Sequence, residues 1–508
     1  MRILLAVVLM SLMRAALAVP VAGLDTLADE AIRRYALPGL AIGVIENGKV
    51  IYRRTAGERE SGSGQRIDPA TLFKIASNSK AMTASVLARL VDAKKLRWED
   101  PVVKHLPDFR MADPWVTQNM QVRDLLVHNS GLPEGGGDLM LWPEPNLFAR
   151  ADILAGLGHI KPKYSFRAGY AYDNLLYVVA GEVAAAAGGA SYEELVRREV
   201  FMPLGLDCKV GAWRRSGSDN LAQPHARVDR RNRVVNADRA DIAELTSAAA
   251  GGIRCSLDAM LIWASNWLDP DEKQKAWLSQ EQRKALWSAH TPMPISERRR
   301  AWDDTHAYLY ALGWRLADVD GEWTVSHTGT LSGMYSVLML LPDRKSGFVV
   351  LINGEADEAR TVLTEALLKR FTRPDDKRVL ADFAADLARE RSPGDANSAA
   401  LPGPLVLASI DQAAALIGVW RDPWFGEVSI CPERSKVRWR SAKSPKLSGI
   451  LKRVGDRILV DWDEDHAQAW LHPGDETGNG MRMGKVDADA DFSYDYEDLA
   501  FTRVRACD

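Results

Sequence analysis

The stretch "FKIASNSKAMTA", residues 73–84, decides how this chain is interpreted. It reads as the start of an apolar helix, and it places Lys80 three residues after Ser77. Positions i and i+3 lie on the same face of a helix, so these two side chains can meet. Lys80 is therefore either a solvated surface charge or a buried amine beside a hydroxyl, and the rest of the sequence must decide between the two.

Composition sets the limits of the interpretation. The chain has 508 residues, a length that predicts two or three domains. Hydrophobic residues make up 46% and charged residues 26%, which is ordinary for a globular protein. A formal net charge of -3 gives no electrostatic reason to expect nucleic acid or an anionic membrane surface as a partner.

The N-terminus has the layout of a cleavable secretory signal. Residues 1–18, "MRILLAVVLMSLMRAALA", have a positive start, a short apolar run and a small-residue pattern at 16–18. The run is too short to span a bilayer, and no other segment is long and apolar enough to be transmembrane. We therefore expect a protein exported to the periplasm or secreted, without an integral membrane segment.

Export makes the four cysteines informative, because disulfides persist in oxidising compartments. Cys208 and Cys255 fall in the body of the chain, whereas Cys431 and Cys507 fall in its C-terminal part. Pairing within each part is the preferred connectivity of the three, and free thiols are the alternative.

Strand-like text occurs near the start of the chain and returns only much later. "LAIGVIENGKVIYRRTAG" predicts two strands joined at Asn47-Gly48. "EWTVSH", "MYSVLMLLP" and "GFVVLIN" predict three more, after a mainly helical stretch over about 98–320. The sequence thus predicts an α+β fold, in which a sheet is assembled from both ends with a helical insertion between. The helix after Ser77 is expected to pack on that sheet through a stripe formed by Met82, Val86, Leu87, Leu90 and Val91.

The composition of the sequence changes after the predicted amphipathic helix "TVLTEALLKRF". Residues 373–410 are charged and rich in Pro, Gly, Ser and Ala, as in "RSPGDANSAALPGP", which predicts a linker. Residues 411–508 contain alternating runs such as "KVRWRS" and "RILVDWD", which indicate a small antiparallel barrel or sandwich. Its tryptophans could form a sugar- or peptide-binding face, but a core is the favoured interpretation: Trp420, Trp424, Trp439, Trp462 and Trp470.

The Ser-x-x-Lys pattern is weak alone, since about two such patterns are expected by chance in a chain of this length. Here Ser77 and Lys80 form the single occurrence, within apolar flanks. A lysine can activate a serine only as a neutral amine. Lowering its pKa from about 10.4 to near 7 needs about 4–5 kcal/mol of differential destabilisation of the ammonium. Burial and the positive end of a helix both act in that direction.

Two further motifs add to this pair. "YAYDNLLYVVAGEV" contains the single Tyr-x-Asn of the chain, at Tyr172 and Asn174. A tyrosine there could carry a proton, and an asparagine could bind a substrate amide, although such a tripeptide alone is usually a turn and helix cap. "WTVSHTGTLSG" places Gly329 at the end of a predicted strand, where substrate can approach the backbone and N–H groups can serve an oxyanion.

These three motifs, in this order and spacing, resemble those of the penicillin-recognising serine hydrolases, over about residues 30–370. The likeness is closest to class C β-lactamases and to related esterases and D-stereospecific peptidases, and "VRDLLVHNSGLP" and "YALGWRL" support it. The tail "IGVWRDPWFGEVSI" is similar to that of a subgroup with a lipocalin-like C-terminal domain. The resemblance implies a β-lactamase/transpeptidase-like antiparallel sheet with flanking helices in residues 19–372, and a small all-β lipocalin-like barrel in residues 411–508.

The resemblance also implies a role for each motif residue, and it implies no metal or other cofactor. Ser77 would be the acylated nucleophile, Lys80 its partner base and Tyr172 the proton carrier. The remaining implied residues bind substrate or form the oxyanion hole: Asn174 as an amide contact, His327, Thr328 and Gly329 as the pocket strand, and the backbone N–H groups of Ser77 and Thr330 as the oxyanion hole.

One residue departs from the family pattern. β-Lactamases usually have Lys-Thr-Gly where this chain has His327-Thr328-Gly329. An imidazole with a pKa of about 6.5 is mostly neutral at neutral pH, whereas lysine is a permanent cation. We therefore expect a site that does not clamp a penicillin carboxylate. The alternative Lys345-Ser346-Gly347 falls in a predicted hairpin turn and is interpreted as a surface turn.

Three functions compete at this point. The favoured one is a serine hydrolase that acts through an acyl-enzyme on a small ester or amide, including peptides with D-residues. The alternative is a β-lactamase or DD-peptidase that acts on penicillins or cell-wall peptides. The second alternative is a non-catalytic receptor that binds through its C-terminal domain. A homo-oligomer is one option, because such domains assist oligomerisation or shape the cleft in relatives.

Overall fold

The computed structural model describes residues 22–216, 219–238, 240–391, 403–474 and 479–507. The predicted signal segment, 1–18, lies outside these residues. Among the described residues, no single helix has the length and apolar composition needed to cross a membrane; a pair bent by 77°, Leu175–Gly188 with Tyr192–Leu204, meets that criterion only when taken together.

An eight-stranded sheet forms the centre of the N-terminal domain. Its strands, in chain order, are β1 Gly39–Glu46, β2 Lys49–Gly57, β3 Thr291–Pro292, β4 Tyr308–Tyr310, β5 Arg315–Val319, β6 Glu322–Leu331, β7 Met334–Leu341 and β8 Ser346–Ile352. They lie in the order β3-β4-β5-β6-β7-β8-β1-β2, and all neighbours are antiparallel. Because β1 pairs with β8, the prediction of a sheet built from both ends of the domain is confirmed. The β1–β2 turn is the predicted one: Asn47 and Gly48 have φ of 49° and 76°, as a type I′ turn requires.

The described residues form six long helices, three of which cover one face of the sheet. The six are α1 Leu24–Tyr35, α2 Ser79–Asp92, α3 Leu175–Gly188, α4 Leu257–Leu268, α5 Asp357–Thr372 and α6 Leu380–Glu390. Helices α1, α5 and α6 share one apolar cluster with Leu40, Ile42 and Val44 of β1, whereas α4 packs on the opposite face. Alternate residues of β1 therefore face two different helical layers, which explains why the whole strand is apolar.

Shorter segments complete the helical insertion and its edges. The remaining helices are Val102–His105, Pro114–Asn119, Arg150–Leu157, Tyr192–Val196, Met202–Leu204, Ala248–Gly251, Glu272–Trp277, Gln280–Leu286 and Glu297–Asp303, with a π-helical turn at Arg197–Phe201. Single 3₁₀ turns lie at Ala76–Asn78, Val122–Leu126, Asp138–Met140, Pro342–Arg344 and Tyr496–Asp498. Small strands pair as Phe73–Lys74 and Cys208–Lys209 with Arg254–Cys255, Trp213–Arg214 with Asp241–Ile242, and His225–Val228 with Arg231–Val234.

Helix α2 does not pack as a stripe on the sheet, so that expectation is wrong. It lies among helices, against α3, Ala248–Gly251 and Gln280–Leu286, and it is buried on nearly all sides. Small polar residues make this possible because their buried hydroxyl groups are hydrogen-bonded to backbone carbonyls. Thr83 donates to the Ala249 carbonyl at 2.7 Å and Ser85 to the Ala81 carbonyl at 2.8 Å. A buried helix need not be amphipathic when its polar groups are bonded in this way.

The stretch 373–410, which we predicted to be a linker, contains α6. Leu380, Phe383, Ala384 and Leu387 of this helix are buried in the same cluster as α1 and α5. The four positions follow the i, i+3, i+4, i+7 spacing of an apolar helix face, a signal that the charged and alanine-rich composition concealed.

The C-terminal region is a closed antiparallel barrel of eight strands. They are β9 Gly418–Asp422, β10 Gly426–Glu433, β11 Lys436–Ser441, β12 Ser448–Val454, β13 Arg457–Trp462, β14 Ala469–Pro473, β15 Gly480–Lys485 and β16 Ala500–Arg505. Closure is complete because β9 pairs with β16 and β12 pairs with β13; a short strand, Val406–Leu407, pairs with the part of β12 beyond its pairing with β11. All five tryptophans named above are buried, so the prediction of a tryptophan-rich core is confirmed.

Both preferred disulfides are present. Cys208 pairs with Cys255 within the N-terminal domain, and Cys431 pairs with Cys507 within the barrel. The first disulfide joins the two short strands beside Phe73–Lys74. It therefore braces the segment that leads directly to Ser77.

Candidate active site

The three sequence motifs meet at one cavity of about 920 Å³. Ser77 lies in the 3₁₀ turn Ala76–Asn78, immediately before α2, and its side chain is half-buried. Tyr172 and Asn174 precede α3 and line the same cavity, as do Thr328 and Thr330 of β6. Lys80 lies directly behind Ser77 and is fully buried. The interpretation of Lys80 as a solvated surface charge is therefore wrong.

The turn that carries Ser77 is fixed by strands β6 and β7. Asn78 Nδ2 donates to Ser336 Oγ at 2.8 Å, and Ser336 Oγ donates to the Ile75 carbonyl at 2.7 Å. Gly329 of β6 lies so close that an added Cβ would overlap the Ile75 carbonyl oxygen and Ser336 Oγ. Glycine at this position allows the pocket strand to lie directly beside the serine turn.

Lys80 is held by two acceptors and faces Ser77. Its Nζ donates to Asn174 Oδ1 at 2.7 Å and to the Ala250 carbonyl at 2.9 Å, and it lies 3.2 Å from Ser77 Oγ. The ammonium has three donors and no acceptor, whereas the neutral amine has two N–H bonds and one lone pair. With both N–H bonds used by Asn174 and Ala250, the lone pair faces Ser77 Oγ and can accept its proton.

The surroundings of Lys80 favour this neutral form. Burial lowers the pKa of Lys80 to about 7; the carboxylates of Asp138 and Asp173 oppose that shift, while the Arg315 guanidinium adds to it. The aromatic rings of Tyr172 and Tyr177 lie 4.8 and 4.9 Å from Nζ and exclude water. A lysine with a pKa near neutrality is populated as a base at physiological pH.

Tyr172 is positioned as the second proton-handling group. It lines the same cavity as Ser77, and burial raises the pKa of its hydroxyl above the usual value, so the hydroxyl stays protonated at neutral pH. The His128 ring packs on Tyr172 with ring centroids 4.2 Å apart. His128 Nδ1 accepts a hydrogen bond from the Asp173 N–H at 3.1 Å. The motif "VHNS" thus contributes a neutral, buried imidazole that supports the tyrosine ring.

The family model described as "Beta-lactamase" matches residues 24–370 of this chain. The chain belongs to the beta-lactamase family. That match covers the N-terminal domain from α1 to the last turn of α5, including every residue of the three motifs; α6 lies beyond it. It establishes a hydrolase fold of this family and confirms the resemblance drawn from those motifs.

Relatives with curated names are similar over the same region of this beta-lactamase-family protein. A protein named "Unguisins hydrolase ungD'" from Aspergillus campestris is 26% identical over 355 residues, covering 67% of this chain and 62% of its own length. "Protein flp" from Staphylococcus aureus strain MRSA252 is 25% identical over 334 residues, covering 65% and 62%. The alignments thus span less than two thirds of each relative's length.

A solved structure extends the likeness of fold to the barrel. The octameric penicillin-binding protein homologue from Pyrococcus abyssi superposes with a TM-score of 0.58, covering 95% of this chain and 100% of its own, at 17% identity. At this identity the comparison concerns the fold alone. The likeness of fold therefore extends over both the beta-lactamase-like domain and the C-terminal barrel of this chain.

His327 is buried and neutral in this family member. Its Nδ1 lies 2.7 Å from the Thr328 carbonyl oxygen, which can only accept, so Nδ1 carries the proton and Nε2 accepts from the Tyr310 hydroxyl at 2.8 Å. Burial, with Arg315 and Lys80 nearby, lowers the pKa of His327 well below its usual value. The imidazole is therefore neutral, as the sequence predicted. Its hydrogen bonds join the pocket strand β6 to Tyr310 of β4.

The pocket contains a cation that the sequence analysis did not identify, Arg315. Arg315 lies on β5 opposite Ser326, lines the cavity and donates from Nη1 to Thr328 Oγ1 at 2.8 Å. Sequence reasoning missed Arg315 because this charged residue lies on a neighbouring strand and not in the motif itself. The rival Lys345 is indeed on a surface turn: it is exposed and pairs with Asp269 at 2.8 Å.

The barrel also contributes to the cavity, which the sequence did not predict. Residues 491–494, in the connection between β15 and β16, line it together with 464–466 from the β13–β14 connection. The Phe492 ring lies 5.7 Å from that of Tyr172, edge to face. A lone "DFSYDYED" has no motif character, so no sequence signal could have placed it here.

Proposed function

We propose that this protein is a serine hydrolase that works through an acyl-enzyme formed on Ser77. The observation that carries the proposal is the Lys80 amine, fully buried, bonded to two acceptors and directed at Ser77 Oγ at 3.2 Å. An amine held in this way supplies the base that an otherwise weak serine nucleophile requires.

The geometry supports a two-step reaction. As Ser77 Oγ attacks the substrate carbonyl carbon, Lys80 Nζ takes the hydroxyl proton, and the new C–O bond forms as the carbonyl π-bond opens to an oxyanion. The backbone N–H groups of Ser77 and Thr330 are proposed to hold that oxyanion. The oxyanion then collapses to the acyl-enzyme, and the bond from the carbonyl carbon to the leaving oxygen or nitrogen breaks as Tyr172 gives that atom a proton. In the second step water attacks the acyl carbon and gives a proton to Tyr172, and the bond to Ser77 Oγ breaks as Lys80 returns the proton to the hydroxyl.

The favoured substrates are small esters or amides, including peptides with D-residues. The cavity is lined by aromatic rings, such as Tyr170 and Tyr335, and by a few polar groups that converge on Ser77, an arrangement typical of a small-molecule site. Asn174 lies on the wall of this cavity and is proposed to contact a substrate amide. The relative named as a hydrolase is consistent with this class of reaction.

The decisive experiment compares the wild type with Ser77→Ala. We expect the wild type to hydrolyse at least one compound in a panel of short acyl esters and D- and L-aminoacyl anilides, and Ser77→Ala to lose that activity by about 10⁴-fold or more. A fluorophosphonate probe should add one adduct to the wild type and none to the variant, as read by intact mass. Unchanged hydrolysis in Ser77→Ala contradicts the mechanism. Failure of the probe to label the wild type favours the non-catalytic receptor.

A second candidate function is hydrolysis of a substrate that carries a carboxylate beside the scissile bond, as penicillins and the C-termini of cell-wall peptides do. Arg315 favours it, because a guanidinium hydrogen-bonded to Thr328 beside the cavity suits a carboxylate. Arg315→Gln should then reduce kcat/KM for nitrocefin or a carboxylate-bearing peptide by about tenfold or more and leave an uncharged ester unaffected. Equal effects on both substrates would exclude this candidate.

We also propose that the protein is exported and forms a homo-oligomer. The two disulfides suit an oxidising compartment, and residues 1–18 have the composition of a signal. The structural neighbour from Pyrococcus abyssi is octameric. Light scattering on the purified protein tests the assembly, and N-terminal mass analysis of protein recovered from the periplasm or medium tests cleavage near residue 18.

A further inference from the structure

We propose that Asp138 and Ser493 are positioning residues for the catalytic lysine, so that the C-terminal barrel completes the active site of the N-terminal domain. This inference rests on the proposed function of Lys80 and deepens it. It follows from a continuous hydrogen-bond path that runs from the barrel to the Lys80 amine.

The path has three links. Ser493 Oγ donates to Asp138 Oδ2 at 2.8 Å, Asn174 Nδ2 donates to the same oxygen at 2.8 Å, and Lys80 Nζ donates to Asn174 Oδ1 at 2.7 Å. Asp138, Asn174 and Lys80 are all buried. Hydrogen bonds in a buried site are electrostatically stronger than in water, and bonds in a chain strengthen one another.

Asp138 decides which way the Asn174 amide points. An amide has a donor end and an acceptor end of nearly equal shape, so its neighbours set its orientation. Asp138 Oδ2 accepts from the NH₂ end of Asn174 and so leaves the carbonyl end for Lys80. In the opposite orientation the NH₂ group would donate to the Lys80 lone pair, which would no longer be free for Ser77.

The Ser493 hydroxyl favours the form of Asp138 that accepts hydrogen bonds. Burial raises the pKa of Asp138 well above its usual value, while the hydrogen bonds from Asn174 and Ser493 lower it. Among the described residues, Asp138 Oδ1 has no hydrogen-bond partner, so Oδ2 carries both bonds. Loss of the Ser493 hydroxyl removes one of the two donors that favour the carboxylate, and a protonated Asp138 could donate to a flipped Asn174 amide.

The barrel segment 491–495 is anchored for this task. Asp495 accepts hydrogen bonds from the N–H groups of Gly137 at 2.5 Å and Leu139 at 3.1 Å, on either side of Asp138. Gly135, with φ of 69°, lies so close to Phe492 that a side chain would have no room. The segment thus binds the backbone of the turn that carries Asp138 as well as the Asp138 carboxylate.

The test is a comparison of pH–rate profiles for Asp138→Asn and Ser493→Ala on an uncharged ester. The charged groups around Lys80 are Asp138, Asp173 and Arg315, and two neutral histidines, His128 and His327, face the same space. Loss of the Asp138 charge, or an Asn174 NH₂ turned toward Lys80, lowers the pKa of Lys80 in either case. The acid limb of kcat/KM should therefore move to lower pH.

We expect the plateau of kcat/KM to fall by about tenfold or more in Asp138→Asn and by about threefold in Ser493→Ala, since a mispositioned general base loses part of its 10²–10⁴-fold contribution. Ser493→Thr, which keeps the hydroxyl, should lose less than Ser493→Ala. Matched controls are Asp108→Asn and Ser435→Ala, because both side chains are exposed and remote from the path; these should match the wild type.

The outcomes separate this proposal from the proposed function. Suppose that the wild type is acylated at Ser77. The positioning role is then wrong if both test variants match their controls. It is also wrong if the variants lose thermal stability and plateau rate while the acid limb of kcat/KM stays at the same pH. If the wild type is not acylated, the proposed function fails. In that case a ¹⁵N NMR titration of the Lys80 amine, assigned with Lys80→Arg, still tests the inference: its pKa should fall in Asp138→Asn and Ser493→Ala, and an unchanged pKa overturns it.

Discussion

At the scale of single residues, the chemistry depends on which charges are buried beside which donors. Ser77 and Lys80 could be nominated from the sequence because their spacing on one helix face brings them together, and Tyr172 because its motif resembles that of the family. Arg315 could not, because its position in the pocket follows from the β5–β6 register, in which it lies opposite Ser326. The neutral imidazole of His327 followed from the sequence, but the presence of a cation in the pocket did not, since one residue's charge says nothing about its neighbours on other strands.

The pKa of Lys80 leads to a prediction about pH. The base is active when neutral, and burial lowers the pKa of Lys80 to about 7, compared with about 10.4 for an exposed lysine. We therefore expect kcat/KM for an uncharged ester to rise with pH up to about 7 and to be level above it. A stopped-flow or plate assay from pH 5 to 9, with circular dichroism to confirm folding at each pH, measures this. An acid limb near pH 4 would indicate a carboxylate base in place of Lys80.

At the scale of elements, the sequence predicts strands better than the surroundings of helices. Strands β1, β2, β6, β7 and β8 follow directly from apolar runs and turn residues. The environment of α2 did not follow, because its apolar stripe fits a sheet and a helical neighbour equally well, and only Thr83 and Ser85 with their carbonyl partners show the difference. Helix α6 was concealed for a related reason, since composition is averaged over a stretch whereas packing depends on the four positions of one face.

Strand β6 leads to a prediction at this scale. In Gly329→Ala the added Cβ would overlap the Ile75 carbonyl oxygen and Ser336 Oγ, so the strand must move away from the Ser77 turn. We expect kcat/KM to fall by about 100-fold, as for loss of one oxyanion donor, and stability to fall by about 1–3 kcal/mol from overpacking. Steady-state kinetics and urea unfolding measure the two effects.

The matched control for that substitution is Gly158→Ala. Gly158 has φ of -66°, and an added Cβ there would meet its nearest atoms at 3.6 Å, an ordinary contact. It should therefore change neither the rate nor the stability appreciably. Full activity in Gly329→Ala would show that the close approach of β6 to the serine turn is not needed.

At the scale of the whole molecule, the two domains are joined by packing as well as by the active site. Met140, Leu141 and Phe148 of the N-terminal domain belong to the same apolar cluster as Trp424 and Phe425 of the barrel. The sequence indicated two units from the change in composition after residue 372, and it contained no pattern to show that they share a core. Contacts between segments hundreds of residues apart depend on surface shape, which periodicity does not record.

This shared core predicts that the molecule unfolds as one unit. Domains that are joined only by a linker usually melt separately, whereas a continuous core makes unfolding cooperative. We expect calorimetry to show a single transition that coincides with the loss of activity.

Phe425, whose ring lies 5.8 Å from that of Phe148, provides the direct probe: Phe425→Ala should lower the stability of the whole chain by about 3–5 kcal/mol and keep one transition. Val504→Ala, at a side chain that is 43% exposed on β16, should leave the melting temperature unchanged. Two resolved transitions, with activity surviving the first, would show that the barrel and the catalytic domain are energetically independent.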